Sequence, residues 1–176
     1  MEGEPYIMLS AKHLHMGRGG AHIQTKIRNL KNGKIFDRNF KSADSFEEAD
    51  IRKTQAVFVY RKGDEHWFHE RGIPAERFSL RGEIIGNKAD LLQPSMEVTA
   101  LILAKNNNEE IINIELPIKA DYKVVEAPPP IRGNTAQGGT KSVLLEGGLK
   151  INVPLFIKEG DTVRINTDTR EYDERV

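Results

Sequence analysis

At 176 residues the chain is long enough for one domain or for two to three small ones, and its 26 basic and 26 acidic residues make it formally neutral. A neutral total argues against a broad, salt-driven coat on nucleic acid, and the absence of cysteine excludes disulfides, thiolate nucleophiles and cysteine-ligated zinc. No apolar run approaches the length of a membrane span, and the N-terminus has neither the basic nor the apolar region of a signal peptide. The expectation is a soluble cytoplasmic protein, with no membrane partner and no cofactor, acting as a monomer.

Strand patterns dominate from the first residues. Tyr6–Leu9 and Ala21–Ile27 flank a glycine-rich turn at Gly17–Gly20, and Asn32-Gly33 marks a hairpin before Ile35–Phe40. Residues 1–42 hold eight basic side chains against three acidic ones, a local charge of +5 that leaves −5 on the rest. A basic end beside an acidic body suggests a polyanion at the N-terminal end. Ser45-Phe46-Glu47-Glu48 has capping-box spacing and predicts one helical turn at a domain boundary.

Ala56–Tyr60 and Glu65–Phe68 pair as strands across Lys62-Gly63-Asp64. Ile84 to Leu92 predicts a short helix, ended by Pro94, and Met96, Val98, Ala100 and Ile102 alternate as a strand. Asn106–Asn108 turns the chain into Ile112–Leu116. Further strands are expected at Tyr122–Glu126, Ser142–Leu145, Leu149–Val153 and Val163–Thr167. Many short strands between frequent turn signals imply barrels. The reading is all-β, with units at 1–48, 49–116 and 117–176. Units this small have thin cores and need each other or a large partner.

The segment from Gly133 to Gly160 is the most informative. Gly133-Asn134-Thr135-Ala136-Gln137-Gly138-Gly139-Thr140-Lys141 has almost no apolar side chain to bury, so it predicts a long loop that contacts something. Leu149, Ile151 and Val153 then alternate with Lys150 and Asn152 until Pro154 stops the ladder. The order Lys141, Val143, Gly148, Ile151, Val153-Pro154, Ile157, Gly160 resembles the C-terminal signature of translation elongation factor P. Gly17-Arg18-Gly19-Gly20-Ala21 with Thr25–Asn29, Ile114-Glu115-Leu116-Pro117 and Glu126-Ala127-Pro128 extend the likeness over nearly the whole chain.

The resemblance implies an SH3-like, KOW-type domain (1–48) followed by two OB-like barrels (49–116 and 117–176). It implies a factor, not an enzyme, that contacts both ribosomal subunits between the peptidyl and exit sites. There it would stimulate peptide-bond formation at proline runs by positioning peptidyl-tRNA. Arg18, flanked by Gly17, Gly19 and Gly20, would be the loop tip near the peptidyl-transferase centre. Gly133, Asn134, Thr135, Gln137, Gly138, Gly139, Thr140, Lys141, Tyr172 and Arg175 would meet RNA or the ribosome.

Three positions depart from the family pattern. The family's first strand has no counterpart before Tyr6, so either the true start lies upstream or the first barrel is open at one edge. Arg18 and Met16 stand where lysine and proline are usual, and Asn134 where aspartate is usual. Arginine-type members are glycosylated with rhamnose, which brings in an arginine-modifying glycosyltransferase as a partner; modified and unmodified Arg18 both stay open.

Without the family, Arg18 reads as a solvated arginine on a hairpin, able to offer five donors to phosphate or a planar stack to a base. The alternative function is a general OB/KOW RNA-binding protein without stall-relief activity; an incomplete factor and a β-barrel enzyme are weaker alternatives. Five histidines do not form a zinc pattern: His13, His15 and His22 have no acidic or sulfur ligand nearby in sequence, and His66 and His69 fall on opposite strand faces. Trp67 and Phe68 read as core or interface.

Overall fold

The computed structural model describes residues 3–14, 22–41, 43–105, 108–129 and 139–176. These form three antiparallel sheets, each a contiguous stretch of chain. The first contains β1 (Tyr6–Leu14), β2 (His22–Asn29) and β3 (Ile35–Lys41) in that order. Thr25, Ile27 and Asn29 of β2 are buried while Gln24, Lys26 and Arg28 are exposed, the period-two signature of a sheet with one packed face.

The hairpin after β2 is wider than the Asn32-Gly33 dipeptide suggests. Only Gly33, at φ +71°, enters the left-handed region there. The loop is closed by Asn29, whose backbone N–H donates to Lys34 O at 2.9 Å. The Asn29 side-chain oxygen accepts from the backbone N–H of Lys31 at 2.8 Å and of Asn32 at 3.1 Å. A side chain that satisfies two loop amides makes the tighter two-residue turn unnecessary.

The helical turn expected at Ser45–Glu48 is not formed; those residues have no regular secondary structure and lead into the next strand. Phe46 packs edge-on against Phe40 at 4.7 Å between ring centroids. That contact outweighs a capping preference with no apolar helix behind it.

The second sheet has the order β6-β5-β4-β7-β8, from β4 (Asp50–Lys62), β5 (Glu65–Glu70), β6 (Ile73–Arg81), β7 (Glu97–Lys105) and β8 (Asn108–Glu115). Its core holds Ala56, Phe58, Phe68, Leu80, Ile85, Val98, Ala100 and Ile114. Phe68 is fully buried and lies between Phe78, stacked at 5.2 Å, and Phe58 at 5.3 Å. Between β6 and β7 run a single helical turn, α1 (Gly82–Ile85), and a 3-10 turn at Gly86–Leu91.

The third sheet has the order β11-β10-β9-β12-β13, from β9 (Lys119–Glu126), β10 (Thr140–Leu145), β11 (Lys150–Pro154), β12 (Thr162–Asn166) and β13 (Tyr172–Arg175). Its edges β11 and β13 approach each other, curling the sheet around Tyr122, Val124, Val143, Leu145, Val153, Ile157, Val163 and Ile165. Consecutive residues of the connecting segment serve different cores: Leu91 enters the third and Leu92 the second. Met96 and Leu116 pack against both.

Candidate nucleic-acid interface

β1 and β2 pair out to Leu14 opposite His22, and β3 pairs with β2 as far as Lys41 opposite His22, so this end of the sheet is a three-stranded ribbon. Gly17, Arg18, Gly19 and Gly20 belong to the connection from β1 to β2 and lie outside the described residues. The ribbon itself carries charge on one face. Cross-strand pairing puts Lys12 opposite Gln24 and Ser10 opposite Lys26. On the other side Gln24 faces Asn39 and Lys26 faces Asp37. Lys12, Lys26 and Arg28 therefore share one exposed face, relieved by a single acid, Asp37. Such a face suits a phosphate backbone.

The second predicted surface is only partly described. Gly133, Asn134, Thr135, Gln137 and Gly138 lie outside the described residues, while Gly139 immediately precedes β10 and Thr140 and Lys141 open it. Lys141 Nζ donates to Pro128 O at 3.1 Å, bridging the two ends of the connection from β9 to β10. Pairing of Thr140 with Pro154 and of Lys141 with Val153 fixes where that connection leaves the sheet.

Tyr172 and Arg175 lie on the edge strand β13, separated from β10 within the sheet by β9 and β12. Tyr172 is half-buried against the third core. Arg175 is exposed, its guanidinium 5.8 Å from the Phe156 ring centroid and 3.9 Å from Asp161. Among the described residues, the predicted set thus falls into a loop neck at Gly139–Lys141 and a sheet edge at Tyr172 and Arg175.

Charged residues that the motifs do not mark hold this frame. Arg164 donates two hydrogen bonds to Asp121, at 2.7 and 2.9 Å, and one to Glu174 at 2.8 Å, tying β9, β12 and β13 together. The Arg164 hydrogen bond holds the Asp121 carboxyl below its ordinary range. No sequence motif announces this fork; only the register of three strands creates it. His66, read as one of two histidines on opposite strand faces, is buried with neither ring nitrogen hydrogen-bonded. Burial, then the charge of Arg61, pushes its pKa down. Among the described residues no group of three or more potential ligands is placed to hold a metal, and no helix is long and apolar enough to cross a membrane.

Comparison with known families matches both ends of the chain. Residues 1–46 fit the elongation factor P KOW-like domain, and residues 121–175 the elongation factor P C-terminal domain. The fold is that of a modular all-β translation factor, a KOW-like unit followed by OB-like barrels. Elongation factor P of Moorella thermoacetica is 37% identical over 175 residues, covering 99% of this chain and 92% of that protein. The Dictyoglomus turgidum factor is 39% identical with the same coverage, and that of Thermotoga petrophila 39% identical over 97% of this chain and 90% of its own. The chain belongs to the elongation factor P family of translation elongation factors. A solved initiation factor 5A from Methanococcus jannaschii is 14% identical, over 65% of this chain and 84% of that one, with a TM-score of 0.39.

Proposed function

We propose that this protein binds the ribosome between the peptidyl and exit sites and speeds peptide-bond formation at proline runs by holding peptidyl-tRNA in a reactive geometry. The observation that carries this reading is the full-length family match, with a glycine-flanked arginine where the family has its loop tip.

The chemistry asked of the protein is modest. Proline is a slow acceptor because its ring restricts the backbone. Holding the donor in place recovers part of the roughly 7–11 kcal/mol that orientation can supply. The reacting groups belong to the ribosome and its substrates, so the protein is an accessory and not an enzyme.

In this reading Arg18 reaches the end of peptidyl-tRNA, and Gly17, Gly19 and Gly20 keep side chains from crowding it. The basic face of Lys12, Lys26 and Arg28 follows the tRNA backbone. The loop neck at Gly139–Lys141, the preceding residues Gly133–Gly138, and Tyr172 and Arg175 meet RNA at the other end. The factor acts as a cytoplasmic monomer, and Arg18 is the position a glycosyltransferase would modify.

The test is competition. Ribosomes carrying peptidyl-tRNA and an empty exit site should retain the protein, and deacylated tRNA in the exit site should displace it. Retention at high salt regardless of exit-site occupancy would favour a general RNA-binding protein instead.

A further inference from the structure

The second and third sheets share apolar contacts through Leu91, Met96 and Leu116, but the first sheet is joined to the second differently. Between them runs an open groove of about 440 Å³, lined by Ile27, Leu30, Phe40, Phe46, Ile51 and Leu101 among others. Among the described residues, no strand of the first sheet lies extensively on a strand of the second. Polar groups bridge instead.

Asn113, on β8, is buried at 3% exposure. Its amide nitrogen donates to Leu30 O at 3.1 Å and Lys31 O at 3.3 Å, both in the hairpin of the first sheet. The same nitrogen reaches Ile84 O in α1 at 3.1 Å. Its oxygen accepts from the Ile114 N–H at 2.7 Å and from Lys88 Nζ at 3.4 Å. Lys88 Nζ also donates to Ile114 O. At the rim, Lys31 pairs with Glu110 at 3.3 Å. One amide therefore meets carbonyls from the first sheet and the helical turn and a backbone N–H of its own strand, while burial pushes the Lys88 pKa down.

We infer that Asn113 is a positioning residue: its amide fixes the angle between the first sheet and the two barrels, and so sets where the loop tip carrying Arg18 is presented. The functional half rests on the reading under Proposed function; the geometric half does not. An exposed ion pair such as Lys31–Glu110 contributes little by itself, whereas a buried amide with several fixed partners has few alternative arrangements. A swing of the first sheet displaces whatever the β1–β2 connection presents, and misplacement of about 1 Å at a reacting centre can cost on the order of a hundredfold.

The chain has no cysteine, so paired labels can be placed cleanly. Spin labels at Asn39→Cys and Arg77→Cys report the first sheet against the second; labels at Arg77→Cys and Lys150→Cys report the second against the third. Asn113→Asp keeps the oxygen that accepts from Ile114 and Lys88 but removes the donor to Leu30 and Lys31. It should broaden the first distance distribution and leave the second unchanged. On unlabelled protein, the maximal rate on a proline-run reporter at saturating factor should fall about tenfold, with a smaller change in the concentration for half-maximal effect. Asn113→Gln, which keeps a donor amide, should restore part of both. An unchanged first distribution overturns the inference, and so does a broadened one with full maximal rate. A wild-type protein inactive on the reporter overturns the functional reading instead, and the distance measurement still decides the geometry.

Discussion

The phenol of Tyr122, on the first strand of the third sheet, donates a 2.7 Å hydrogen bond to the carbonyl oxygen of Leu91, 31 residues earlier. Leu91 is itself buried in the core that Tyr122 helps to form. The barrel thus takes up the end of the segment that leaves the preceding one. Arg170 reinforces the junction, donating to Asn87 O and lying 3.7 Å from Asp90.

Tyr122→Phe should therefore cost more than a lost surface hydrogen bond, because it strands a buried carbonyl. The expected loss is about 1–3 kcal/mol in chemical denaturation. Burial pushes the Tyr122 pKa up to about 12 from 10. The folded state holds this proton more tightly than the unfolded chain does. Its contribution is complete below pH 10 and is lost as the pH rises toward about 12. Alkaline unfolding in that window should be blunted in Tyr122→Phe.

His66 gives the opposite signature at acid pH. Its buried ring has a pKa below the ordinary 6.5, so the unfolded chain takes up its proton first. Stability should be complete above pH 6.5 and decline as the pH falls toward the folded-state value. His66→Leu should flatten the slope between neutral pH and about pH 5 in denaturation series, the range over which an ordinary histidine titrates. An unchanged slope would mean that other groups carry it.

The basic ribbon face can be separated from fold stability. Lys26→Gln with Arg28→Gln should leave the melting transition nearly unchanged, since both side chains are exposed. Ribosome binding should weaken, and its salt dependence should flatten by about two units of slope if both side chains meet phosphates. Arg175→Ala, whose guanidinium already faces Phe156 and Asp161, should flatten it by about one unit at most.

Much of this frame was legible because glycine and alternation are local signals. Gly33 and Gly63 turn the chain at φ +71° and +63°, where Asn32-Gly33 and Lys62-Gly63-Asp64 placed turns. The short helical segment before Pro94 formed at Gly82–Leu91. Two strands escaped notice. β6 carries Pro74, Glu76 and Arg77, and β13 reads Tyr-Asp-Glu-Arg. Both are sheet edges, where charge and proline are tolerated and the apolar pattern fades.

The first half of β4, Asp50–Gln55, is equally polar and owes its strand to pairing with β7. Ser45–Glu48 failed for the converse reason, a local helix signal defeated by the Phe40–Phe46 contact. Asn113 and Arg164 were invisible in the sequence, since their partners come together only in the folded chain.

The central claim is that Arg18 lets this protein relieve stalls at proline runs. The direct measurement is reconstituted translation of a reporter with three consecutive prolines, using protein purified from its native cells beside Arg18→Ala. The native protein should restore full-length product, and Arg18→Ala, still bound to ribosomes, should not. If both bind and neither changes the stall, or if Arg18→Ala works as well as the native protein, the loop-tip mechanism is wrong.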